Sequence, residues 1–170
     1  MPLFEIHPPD THHLQAAIGW LELGNPSEAG EELTRLSREV LDHPDVLEVR
    51  WQICALTGSW DAAVPIAELL VGTDPGRSAG WIHRAYAIRR ATNGGLEKAW
   101  EALLPAAKLF PKDTLIPYNL ACYAAQFGRL DEAWDWLRRS IDISGDPYVI
   151  KMRALADDDL QPLWDRIREL

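Results

Sequence analysis

The chain has 170 residues, 47% of them hydrophobic and 25% charged, which is long enough to bury a sizeable core as one domain and too apolar for disorder beyond the ends. Seventeen Lys and Arg against 26 Asp and Glu leave a net charge of -9, which repels a phosphate backbone and supplies no basic stripe, so nucleic acid is excluded as a partner. No uncharged apolar run approaches the ~18 residues of a membrane span, and the opening MPLFEIHPPD has neither a basic n-region nor an apolar h-region, which predicts a cytoplasmic protein free of membranes.

Residues 1–10 read as an amino-terminal extension. The segment HPPDTHH gathers His7, Asp10, His12 and His13, but without an i,i+4 His pair or a Cys partner it predicts a solvated, partly mobile terminus and no metal. From residue 11 to 144 one phrase recurs four times: GNPSEAGEEL from Gly24, GSWDAAVPIA from Gly58, GGLEKAWEAL from Gly94 and GRLDEAWDWL from Gly128. Each glycine is followed by an alanine (Ala29, Ala63, Ala99, Ala133), and a period near 34 residues predicts a helix-turn-helix solenoid. The glycine ends a first helix by taking the left-handed conformation cheaply. The alanine, small at a helix crossing, lets two backbones approach, and Leu33, Ala67, Leu103 and Leu137 fill the remaining groove one turn on. Ser27, Glu28, Asp61, Asp131 and Glu132 place capping or acidic groups at the start of the second helix. Pro44, Pro75 and Pro111 separate the units. Beyond residue 144, Gly145 closes a helix, Asp146-Pro147 and Asp157 to Asp159 open two more, and the stripe Leu160, Leu163, Trp164 and Ile167 predicts a capping helix pair over residues 145–170.

The stretch IPYNLACYAAQFGRLDEAWDWLRRSI, with Leu120, Ala121, Gly128, Ala133 and Leu137 in register, resembles the tetratricopeptide repeat family. So does WIHRAYAIRRATNGGLEKAWEALLPAAKLFP, through Trp81, Ala85, Ile88, Ala99, Leu103, Ala106 and Pro111, with two extra residues in its turn. In the second unit Trp51 stands where the family prefers a small residue, and in the first His13 and Ala16 replace an aromatic and a leucine. The resemblance implies an all-α, right-handed solenoid and a non-enzymatic scaffold that binds a peptide or partner protein.

The residues offer little for catalysis. There is no GxSxG, P-loop or GxGxxG, and Cys122 has no evident His partner. Asp157 to Asp159 lack EF-hand spacing and read as helix caps. No cofactor or metal is expected, and Cys54 and Cys122 read as small buried hydrophobes in a reducing compartment. Trp60, Trp81, Trp100, Trp134 and Trp164 read as core, whereas Trp51 and Trp136 lie off the main apolar stripe and are open to a partner-contact reading.

The resemblance implies that the inner face of each first helix lines a concave groove. Carried over residue by residue, that face is Glu48 and Gln52 in the second unit, Ile82, Tyr86, Arg89 and Arg90 in the third, and Tyr118, Asn119, Cys122 and Gln126 in the fourth. Two arginines beside two tyrosines and an asparagine suit a peptide with an acidic or carboxy-terminal carboxylate segment. The alternative for Arg89 and Arg90 is that they solvate a helix end and offset its dipole. Asn119 matches the carboxylate clamp of chaperone-binding members, but no lysine stands at the matching place in the second unit. Two other readings remain open: a structural protein that forms homo-oligomers through a solenoid edge, and a regulatory module of an enzyme on another chain.

Overall fold

A computed structural model describes residues 5–170; the first four residues of the opening read above as leaderless lie outside it. Among the described residues the regular structure is helical throughout: α1 (Asp10–Glu22), α2 (Pro26–Leu33), α3 (Pro44–Leu56), α4 (Trp60–Thr73), α5 (Ser78–Arg90), α6 (Leu96–Leu103), α7 (Ala106–Leu109), α8 (Leu115–Gln126), α9 (Leu130–Ser144), α10 (Pro147–Leu155) and α11 (Trp164–Arg168), with tighter 3-10 turns at Arg38–Val40 and Asp158–Leu163. The chain packs as two compact units, one ending at Gly95 and one spanning Leu96–Leu170. The first holds the hairpins α1–α2 and α3–α4 with α5 against α4, and the second holds α8–α9 with the carboxy-terminal helices around them.

The repeat phrase places its residues as predicted. Ala29, Ala63, Ala99 and Ala133 have no exposed surface, and neither do Ala67, Leu103 and Leu137 one turn on. Gly24, Gly58 and Gly128 take φ of 72°, 68° and 74°. The third unit differs, because its left-handed residue is Gly95, at φ 119°. Gly94, the residue in phase, is needed for space: a Cβ there would stand 1.7 Å from the Ile88 carbonyl oxygen, which accepts the Gly95 N–H at 3.0 Å. The longer turn thus splits one glycine's task between two.

Several polar predictions change partner. Asp61 stands as the acidic residue in the first turn of α4, and it also accepts the backbone N–H and hydroxyl of Thr92 at 2.9 and 2.7 Å, tying α4 to the turn after α5. For α2 the cap is Asn25, whose side chain accepts the Glu28 N–H. The segment from Ile6 to His13 is held rather than loose: Asp10 accepts the Ser37 N–H and hydroxyl at 2.8 and 2.7 Å, His13 meets Glu32 at 2.8 Å, and Ile6 is buried. Farther on, Gly145 is left-handed and Asp146 accepts two N–H groups of α10 as predicted.

The second helices are unequal. Helices α2 and α6 end after eight residues, against 14 in α4 and 15 in α9. Leu33 at the end of α2 stays half-buried while its three counterparts, Leu103 at the end of α6 among them, are sealed.

Candidate partner-binding faces

In the first unit α1, α3 and α5 are the first helices of successive repeats, α1 touching α3 and α3 touching α5. Trp51 of α3 is 7% exposed, so the large residue at the small-residue slot is core and not an open contact. Its ring stacks on His83 of α5 with centroids 3.8 Å apart and meets Tyr86 edge-on at 6.2 Å. Fitting a large ring there has a local cost, because Trp51 Nε1 is buried without a hydrogen-bond partner. Beside this stack, Tyr86 packs against Trp60 of α4 at 5.6 Å. Arg90 lies over both rings, 3.5 Å from the Tyr86 centroid and 5.4 Å from that of Trp60, within cation–π range. It also donates to the Tyr86 carbonyl at 3.3 Å, and the residue stays exposed. The guanidinium is therefore oriented by its own helix and still faces water.

Glu48 is not free to meet a ligand in the same way. Arg77 gathers three carboxylates, reaching Asp45 and Glu48 at 2.8 Å and Asp74 at 3.2 Å, and so ties α3 to the α4–α5 turn. His83, 3.9 Å away, and then Arg77 hold the Glu48 carboxyl below its ordinary range. Gln52 lies in an open cleft between α1 and α3 with Ile18, Leu21 and Leu56, and Leu56 is 57% exposed. Ile82 and Arg89 are half-buried on α5.

The second unit treats its four named residues differently. Tyr118 and Cys122 of α8 are 2% and 3% exposed, because the segment from Asp157 to Leu163 lies on them. Tyr118 Oη donates to Asp157 Oδ2 at 3.0 Å, the Cys122 thiol lies 3.6 Å from the same oxygen, and Gln126 donates to the Asp159 carbonyl at 3.1 Å. Arg153 of α10 covers the Tyr118 ring at 4.6 Å. Burial, then Cys122 and Asp157, pushes the Tyr118 phenol far above its usual range. Asn119 donates to the Leu115 carbonyl of its own helix at 2.7 Å. Beneath the segment Leu160, Leu163 and Ile167 are buried, and Trp164 Nε1 donates to the Ala154 carbonyl, so the predicted capping pair is built as expected.

The aspartate run therefore does more than open a helix. Cys122, Asp157 and Asp159 bring a thiol and two carboxylates within 4.8 Å of one another. Asp157 is already engaged by the Tyr118 hydroxyl and by the Asp159 N–H that it caps. Sequence reading found the cap but not its partner on α8, because nothing in DDD specifies a tyrosine 39 residues earlier. Arg77 was likewise overlooked, since Asp74 alone is near it in sequence while Asp45 and Glu48 come from the preceding helix α3. Trp136 is half-buried, edge-on to Trp100 at 6.5 Å. Among the described residues no helix is long and apolar enough to cross a membrane.

No protein-family model matches the chain, and none of the curated proteins matches it. Among solved structures it is similar to TTC0263, a thermophilic TPR protein of Thermus thermophilus, at 18% identity and a TM-score of 0.71, over 95% of this chain and 100% of that one. It is also similar to two structures of MamA. One has 16% identity and a TM-score of 0.68 over 94% of this chain and 86% of that one, and the other has 12% and 0.69 over 81% and 79%. At such identities the likeness is one of fold.

Proposed function

We propose that this chain, which has the tetratricopeptide-repeat fold, is a non-enzymatic protein-interaction module that holds a partner segment on the first-helix face of its amino-terminal unit. The observation that carries the reading is Arg90, a guanidinium oriented over Tyr86 and Trp60 yet exposed to water. A cation fixed in this way loses little side-chain freedom on meeting a carboxylate, and its aromatic bed supplies apolar contact for a neighbouring side chain. Gln52 and the apolar cleft beside it, with Ile82 and Arg89, extend the contact surface, and the partner class is a peptide or protein with an acidic or carboxy-terminal carboxylate segment. Asn119 and Gln126 bond within the second unit, and Tyr118 and Cys122 serve its fold, so none of the four is assigned to this surface.

The test is a pull-down from the source lysate with the native chain and with Arg90→Ala, each checked for native helix content. Partners recovered by the native chain are expected to drop with the variant. Equal recovery of every partner would overturn the reading.

A second reading, self-association, draws on one observation. Tyr148, Val149 and Met152 of α10 are 68%, 56% and 49% exposed and form an apolar face on the helix. Solution mass across a concentration series tests it, and a constant monomer mass would remove it.

A further inference from the structure

An open cleft of about 510 Å3 lies on the first unit and shares no lining residue with the cluster of Trp60, Tyr86 and Arg90. Its lining along α3 is Val46, Arg50, Ile53 and Cys54, with Leu33 contributed by α2 and Ile66 by α4. Leu33, at the end of α2, is half-buried here, whereas the equivalent side chains of the other repeats, Ala67, Leu103 and Leu137, are sealed.

Two features inside it are unused by the chain itself. Arg50 is half-buried, and it makes no hydrogen bond, ion pair or ring contact with any described residue; its electrostatic neighbour is the Cys54 thiol. In a chain with 26 acidic residues, where Arg77 alone gathers three carboxylates, an unpaired and partly desolvated guanidinium is an uncompensated cost. Gly30, also in the cleft, sits inside α2, where glycine weakens a helix relative to alanine. A Cβ at Gly30 would meet nothing within 4 Å, so the chain's own packing does not require the glycine.

We propose that this cleft docks a partner helix carrying an acidic side chain with an aliphatic side chain one turn to either side. The proposal rests on the protein-interaction reading and adds a second surface and a partner chemistry to it. Arg50 stands midway along the α3 lining, with Val46 four residues before it and Ile53 and Cys54 three and four after, which is one helical turn each way. A docked helix with the complementary order places its carboxylate on the guanidinium fork. Its aliphatic groups enter beside Leu33 and Ile66, and its backbone approaches over bare Gly30. An amphiphile with its charge at one end would match only half of that lining.

The test is selection from a displayed library of helix-forming peptides of about 16 residues, against the full chain. Selected peptides are expected to carry the acid between two aliphatic residues and to shield Cys54 from iodoacetamide, read by mass spectrometry. Arg50→Ala is expected to weaken them about tenfold or more. Gly30→Ala should weaken them too while raising the melting temperature, so lost binding cannot be ascribed to lost folding. Peptides that leave Cys54 unshielded and ignore both substitutions overturn the site. If those peptides are instead lost in Arg90→Ala, the interaction-module reading stands and only this cleft falls. Recovery of no peptide at all would sink both. Shielding of Cys54 by laurate and by no peptide would give the cleft to a lipid and end the proposal.

Discussion

The first helices α5 and α8 come from equivalent positions of successive repeats, yet their corresponding faces have opposite fates. On α5, Tyr86 and Arg90 form a cluster with an exposed guanidinium. On α8, Tyr118 and Cys122 lie beneath the chain's own carboxy-terminal segment, with Asp157 taking the tyrosine hydroxyl. The difference teaches that repeat position specifies which residues can face a ligand, while what packs next decides whether they do. On α8 the covering segment is itself acidic, so the chain meets its tyrosine with the type of group expected of a partner.

The largest effect should come from loosening that cover. Leu160 has no exposed surface, and Leu160→Ala is expected to cost about 2–5 kcal/mol through lost burial and a cavity. Chemical denaturation measures it, and hydrogen exchange should rise along α8. An unchanged midpoint would mean that the segment is not a packed cover.

Next comes Asp157→Ala, which leaves the buried Tyr118 hydroxyl without its acceptor and should cost about 1–3 kcal/mol. The tyrosine adds a pH signature to the native chain. Its folded pKa is raised, so its contribution to stability is whole below the unfolded value of about 10 and is lost as pH rises past it. Alkaline unfolding monitored by phenolate absorbance checks the direction, and ionisation of all four tyrosines at an ordinary pH would break the contrast.

A smaller effect is expected at Arg77, the tie in the open unit. Removing its fork by Arg77→Ala should cost about 1 kcal/mol, since each pair is partly exposed. Here the sign with pH is reversed. Glu48 has a lowered folded pKa, so its contribution is present above the unfolded value of about 4.3 and disappears as pH falls through the folded one. Thermal melts from pH 7 to pH 3 should therefore show the gap between native and Arg77→Ala proteins narrowing. A gap that widens in acid would refute the assignment.

The smallest effect sharpens the contrast from the other side. Arg90→Ala should cost only about 0.5–1 kcal/mol, because the residue is exposed and a cation over aromatic rings is worth little there. A loss several times larger would show that the aromatic bed needs its cation to fold, and the face would then be structural like that of α8.

Much of the fold was legible because its devices are local. The Gly-to-Ala phrase predicted turns and crossings that Gly24, Gly58, Gly128 and the four buried alanines display. Where a turn lengthened, as at Gly94 and Gly95, the phrase still marked the place but assigned the conformation to the wrong glycine. The candidate site was legible only as a set of helix positions. Trp51, which the sequence left open between core and partner contact, is core and stacks on the flat ring of His83 on the next first helix, and the sequence carries no sign of that meeting.

By itself, the sequence determined the all-α repeat, its period, its sealed crossings and its capping pair, because each follows from residue size, backbone freedom and hydrophobic spacing within about one repeat. Tertiary structure alone decided which polar groups pair and which faces stay open: Asp61 with Thr92, Asp157 with Tyr118, Arg77 with Asp45 and Glu48, and Arg50 with no described residue. These outcomes depend on side chains about 30 to 40 residues apart coming within hydrogen-bond reach, a distance set by how one helix lies on another. Periodicity encodes which side of a helix is apolar, but not what will cover the other side.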